Sequence, residues 1–81
     1  MNDLASYIVL DNNIRFGKPC IKGTRVTVCD ILQWLSTGMT NQEIIEDFPE
    51  LEEIHIQAAL AFAAARDIMT EIAVYETVTL R

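Results

Sequence analysis

No uninterrupted apolar run in this sequence is long enough to span a bilayer, which excludes an ordinary transmembrane helix. The start, Met1-Asn2-Asp3-Leu4, has neither the cations nor the apolar stretch of a secretory signal, so a cytoplasmic protein is expected. Cysteine is scarce: Cys20 and Cys29 are the only two, and they do not form a Cys-x-x-Cys pair. With His55 the sole histidine, thiols and imidazoles cannot assemble a tetrahedral metal set. Nothing points to an oxidising compartment, so two reduced thiols are expected. Glycine and proline are also rare, at three and two residues, and three of those five fall between Gly17 and Gly23.

Catalytic patterns are equally thin. His55 has no nucleophile near it in sequence. Glu46/Asp47 and Glu52/Glu53 are adjacent pairs, which diverge on a helix instead of converging on one reacting atom. The Gly17–Gly23 segment lacks the Gly-x-x-x-x-Gly-Lys-Ser/Thr spacing of a phosphate loop, because Gly23 is followed by Thr24-Arg25. No enzyme activity, cofactor, metal or small-molecule substrate is therefore expected.

What the chain does have is Gly17-Lys18-Pro19-Cys20-Ile21-Lys22-Gly23-Thr24-Arg25-Val26. Glycine opens backbone angles closed to other residues, and proline fixes φ while removing a donor. The run specifies a shaped connection carrying Lys18, Lys22 and Arg25; a plain surface hairpin with solvated cations is the alternative. The overall charge of −6 is segregated. Arg15, Lys18, Lys22 and Arg25 lie together with no acid among them, whereas Glu43, Glu46, Asp47, Glu50, Glu52 and Glu53 form an acidic run without a base. A partner responds to such local fields more than to the sum, although the acidic run also fits a solvated helix face.

Eighty-one residues make a single domain, residues 1–81, with limited capacity to bury surface. The 51% hydrophobic content therefore favours further burial in a homodimer. Tyr7-Ile8-Val9-Leu10 favours a short strand, closed by the turn formers Asp11-Asn12-Asn13. Ile14–Phe16 and Cys20-Ile21 extend the expectation of a β arm or hairpin over residues 1–26. Helix signals are stronger. Thr27 with Asp30 suggests a capping box before Ile31, Leu32, Trp34 and Leu35, and Gly38 suits a left-handed C-terminal cap. Thr40-x-x-Glu43 starts a second helix that Pro49 terminates. A third begins near Glu52 and keeps helical spacing to Ile72, with Ile54, Ala58, Ala61, Phe62, Ala65, Ile68 and Met69 on one side and Ile56, Leu60 and Ala64 on another. Two apolar sides place this helix centrally or at a subunit interface. Val74–Leu80 alternates with β-branched residues, so an extended tail is expected over residues 73–81. The fold class is thus mainly α: a three-helix bundle over residues 27–72, a small N-terminal β arm and an extended tail.

These proportions suit a helix-turn-helix, whose third helix would enter the major groove. Its first turns present Glu52, Glu53, His55 and Gln57, of which only Gln57 is of a type that reads adenine well. The arm must then supply the electrostatic contact with DNA. Four phosphate contacts from its cations give a salt slope of roughly −3.6 per subunit.

The Gly17–Val26 run followed by Val28, then Leu35, Gly38-Met39-Thr40, Glu43-Ile44, Phe48-Pro49-Glu50-Leu51, Ile56 and Ala58-Ala59-Leu60-Ala61-Phe62-Ala63, resembles the bacterial and archaeal domain of unknown function 433. The resemblance covers roughly residues 7–66 and implies a homeodomain-like helix-turn-helix. Some members of that family look like Vap-type antitoxins encoded beside a PIN-like nuclease. The resemblance therefore implies an autoregulating antitoxin that binds operator DNA and neutralises a PIN-like toxin, or a pure interaction module without DNA binding. A cation such as Arg25 or Arg81 would then enter the nuclease's acidic metal site. Where the family often has Ser or Thr before the third helix, this chain has Glu52. The candidate contact residues are Arg15, Lys18, Lys22, Thr24, Arg25 and Gln57; Gly17, Pro19, Gly23, Gly38 and Pro49 are expected to shape the turns.

Overall fold

The computed structural model describes the backbone of residues 3–79 and side chains as far as Arg66. Three α-helices, α1 (Val28–Ser36), α2 (Asn41–Asp47) and α3 (Glu53–Thr79), follow a two-stranded antiparallel sheet of β1 (Ile8–Val9) and β2 (Cys20–Ile21). Ile8 faces Ile21 and Val9 faces Cys20. A 3-10 turn, Leu4–Tyr7, precedes β1, and the Tyr7 ring and the His55 imidazole on α3 meet nearly at right angles with centroids 5.6 Å apart.

Local chemistry sets the helix boundaries. The Thr27 hydroxyl accepts from the Asp30 N–H at 2.8 Å, and the Asp30 carboxylate accepts from the Thr27 N–H at 3.1 Å. Thr40 and Glu43 repeat this reciprocal box at the head of α2. Helix α1 ends where Gly38 adopts φ +97: its N–H donates to the Leu35 carbonyl and that of Met39 to the Trp34 carbonyl, the paired bonds of a Schellman cap. At the head of α3, where the cap serine or threonine is missing, His55 Nδ1 accepts from the Glu52 N–H at 2.9 Å. One orphan donor is thereby satisfied from inside the helix.

Ile21, Val26, Val28, Ile31, Ile44, Leu51, Ile56 and Ala59 form the core, with every helix and β2 contributing. Trp34 stacks on Phe48 with centroids 4.3 Å apart, joining α1 to the end of α2. Of the two apolar rows expected on α3, Ile56 and Ala58 are buried, Ile54, Ala61 and Phe62 are half-buried, and Leu60, Ala64 and Ala65 are exposed; Ala59, which stands in neither row, is buried as well.

Two expectations are corrected. Helix α3 does not stop at Ile72 but runs to Thr79, so the expected extended tail is helical up to that residue; Leu80 and Arg81 lie outside the described residues. The β-branched residues at 74–79 disfavour a helix by only tenths of a kcal/mol each, and no glycine or proline follows Pro49 to stop it. Ile14–Phe16, expected to be extended, instead leads into a left-handed turn. Arg15, Phe16 and Gly17 have φ values of 49, 61 and 80. The physical reason is tertiary: Arg15 Nη1 donates to the carbonyl of Arg25 at 2.9 Å and pairs with Asp30 at 3.2 Å.

Candidate functional site

The hairpin after β2 shapes the basic surface. Beyond the paired β2 residues, the Ile21 N–H donates to the Val26 carbonyl, and Cys20 bridges to Thr27. Gly23 turns the tip at φ +83. Thr24 secures it: its hydroxyl donates to the Ile21 carbonyl and accepts from the Val26 N–H, both at 3.0 Å. This candidate contact residue thus has a structural duty in the turn. Lys22 and Arg25 project from this hairpin into solvent, and neither side chain has a hydrogen bond or ion pair among the described residues. The Lys22 N–H donates to the Tyr7 carbonyl, tying the tip to the residue before β1.

Arg15 behaves differently from the other three arm cations. Its guanidinium serves the α1 cap through Asp30 and holds the hairpin through Arg25. Partial burial pushes the Asp30 carboxyl pKa up, but bonds from Thr27 and Arg15 outweigh this and hold it below its ordinary value. A carboxylate with a depressed folded pKa stabilises the fold above its unfolded pKa, about 4, and that contribution disappears as pH falls through the lower folded value. The stability gap between the wild type and Asp30→Asn, read as urea midpoints, should therefore be full near neutrality and close below about pH 4. A gap independent of pH would show that the charge on Asp30 contributes nothing.

Lys18 is exposed and lies at a groove of about 410 Å³, whose apolar lining includes Pro19, Val28, Leu32 and Phe62. Arg66 and the exposed thiol of Cys29 also line it, and the Arg66 guanidinium lies 5.4 Å from the centre of the Phe62 ring. Buried Cys20 does not pair with Cys29. Gln57 is exposed on α3, but no hydrogen bond or ion pair among the described residues connects it to the arm. Glu52 and Glu53 are exposed beside it, and Glu53 accepts from the Asn41 amide at 3.1 Å. The head of α3 is therefore acidic in the fold as well as in the sequence.

Gly17 is needed where it stands. It has φ +80, and a Cβ there would lie 2.7 Å from Asn12 Oδ1. That amide can move, so the backbone angle is the larger obstacle. Pro49 follows Phe48, the C-cap of α2, and the Leu51 N–H closes this turn onto the Phe48 carbonyl. Phe16 is a candidate that the sequence reading passes over: it is 94% exposed despite its size. An aromatic residue directly before a glycine in a cation-rich run is the available signal. The groove has no such signal, because Lys18 and Phe62 are brought together only by tertiary packing.

The profile of the family described as protein of unknown function (DUF433) matches residues 8–63, more than half of the chain. The chain belongs to the DUF433 family. A crystal structure of a DUF433 member protein from Anabaena variabilis is similar in fold, with a TM-score of 0.70 and 23% sequence identity, covering 83% of this chain and 68% of that one. No curated protein matches the sequence. The matched span takes in the arm from Ile8 onwards, all three helix starts and the Ala58–Ala63 segment. Among the described residues, no three His, Cys, Asp or Glu side chains gather as metal ligands, and no helix is long and apolar enough to cross a membrane.

Proposed function

We propose that this DUF433 protein is a small, non-enzymatic, cytoplasmic DNA-binding regulator that acts as a homodimer and contacts the duplex chiefly through its basic arm. The observation that carries this reading is the separation of duties among the arm cations. Arg15 is committed to the fold, whereas Lys18, Lys22 and Arg25 are exposed without protein partners among the described residues, on a backbone that Arg15, Thr24 and Gly23 hold in shape. Three exposed cations on one short segment whose backbone is held in shape suit a phosphate surface. The acidic head of α3 suits it poorly, so α3 contributes at most Gln57 from the groove side of a homeodomain-like helix-turn-helix. The exposed Leu60, Ala64 and Ala65 on α3 support pairing of two subunits along that helix.

An electrophoretic shift with the DNA upstream of the protein's own gene tests the proposal. A shift at low salt that Lys22→Glu with Arg25→Glu removes is expected; no shift, or one indifferent to these changes, overturns it.

The groove favours a second role. Its apolar floor with Lys18 and Arg66 at its side suits a protein segment that combines apolar and acidic residues. An autoregulating antitoxin that neutralises a PIN-like nuclease would use both surfaces. Co-expression with the product of the neighbouring gene, read as co-purification and rescue of growth, tests that role; failure of both leaves the DNA-binding role alone.

A further inference from the structure

Among the described residues, Phe16 combines a large exposed side chain with a left-handed backbone. The residue is 94% exposed, so it contributes almost nothing to the core. Its backbone sits at φ 61 and ψ 31, a region that costs an L-residue free energy and that glycine or asparagine would occupy far more easily. The turn itself does not need an aromatic ring there, since Gly17 already supplies the permissive position that follows. Nor is the turn loose. The Gly17 N–H donates to the Ile14 carbonyl at 3.1 Å, the Lys18 N–H to the Arg15 carbonyl at 3.2 Å, and the Arg15 side chain fastens the turn to Arg25 and Asp30. An exposed aromatic ring is thus held out on a rigid left-handed turn, fastened to the hairpin that carries Lys22 and Arg25.

The charge around it selects the partner. Between Asn12 and Cys29 every charged residue is a cation. An anchor for a protein partner usually sits within an apolar patch that excludes water. Phe16 is instead followed by Gly17 and the exposed Lys18, and preceded by Arg15, whose charge is paired with Asp30. An apolar wedge beside cations is the arrangement by which minor-groove proteins pry neighbouring base pairs apart while holding the flanking phosphates.

We propose that Phe16 is a wedge that inserts between adjacent base pairs of duplex DNA, with Lys18, Lys22 and Arg25 on the phosphates around it. The proposal rests on the DNA-binding reading above and adds to it a deformation of the duplex. Insertion unstacks one base step and unwinds the helix locally. Stacking on the ring offsets much of the unstacking cost, so removing the ring changes affinity by no more than about tenfold while abolishing the distortion.

The test uses a closed-circular plasmid carrying the DNA upstream of the protein's gene, relaxed by a topoisomerase in the presence of the full chain and then freed of protein. The wild type and Phe16→Leu, which keeps an apolar wedge, are expected to shift the topoisomers towards lower linking number. Phe16→Ala and Phe16→Asn are expected to bind with an unchanged salt slope and to leave the distribution as in the protein-free control. Asparagine accepts the left-handed conformation, so a melting temperature of Phe16→Asn at or above that of the wild type confirms that the fold is intact. If Phe16→Ala shifts the topoisomers like the wild type, or if the wild type binds without any shift, the wedge is wrong and the arm's DNA-binding role stands. If the wild type does not bind the plasmid at low salt, both fall.

Discussion

Reversing Lys22 and Arg25 to glutamate together should lower affinity for duplex DNA by roughly 200-fold per subunit at 50 mM salt, because each lost phosphate contact forfeits about fifteen-fold through counterion release. Repulsion by the new carboxylates adds to that loss. Neither side chain has a partner among the described residues, so the fold should not suffer. Unchanged urea midpoints beside the loss of binding would locate the effect in the interface. Arg15→Ala should behave oppositely. It releases the α1 cap and the left-handed turn, so stability falls first and binding falls as a consequence. Charge reversals at Lys22 and Arg25 that leave affinity within a few-fold of the wild type would rule out the arm as the contact surface.

Ile56→Ala should destabilise the chain by about 2–5 kcal/mol, the range for truncating a buried aliphatic side chain and leaving a cavity. Ile56 is fully buried in the cluster that also holds Ile21, Ile31, Ile44 and Leu51, a core to which the arm and all three helices contribute. A domain of this size has roughly 4–12 kcal/mol in all, and the variant should be partly unfolded near physiological temperature. Leu60→Ala, four residues on, gives the contrasting result. Leu60 is 44% exposed, so the monomer should lose less than about 1 kcal/mol. If α3 is the dimer seam, the same change should weaken self-association, visible by light scattering at tens of micromolar. A Leu60→Ala protein that stays as dimeric as the wild type would move the seam elsewhere.

Elements whose causes are local are legible in the sequence. Both capping boxes, the Gly38 cap and the Pro49 stop depend on residues at most a few positions apart, and each appears as expected. The left-handed turn is not legible, because its cause joins Arg15 to Asp30 across fifteen residues and recruits a carbonyl ten residues away. The end of α3 misleads for a different reason. Val74, Thr77, Val78 and Thr79 are residues that favour a strand, but strand preference acts only where an edge is available for pairing, and the unbroken helix simply continues. For the candidate site, composition locates the basic segment but cannot sort its members. Arg15, Lys18, Lys22 and Arg25 look alike in sequence. In the fold the first is a structural clamp, and the other three remain available.

That sorting changes a number. Four phosphate contacts imply a slope of roughly −3.6 per subunit, whereas the three available cations imply roughly −2.7, or about −5.4 for a dimer engaging both arms. The direct test is the slope of log affinity against log salt for the duplex upstream of the gene, measured by fluorescence anisotropy between about 50 and 200 mM. The expected value is about −2.7 per bound subunit, falling to about −0.9 when Lys22 and Arg25 are neutralised to glutamine. A slope near zero, or one that the glutamine variant leaves unchanged, would contradict the claim that this arm is the contact surface.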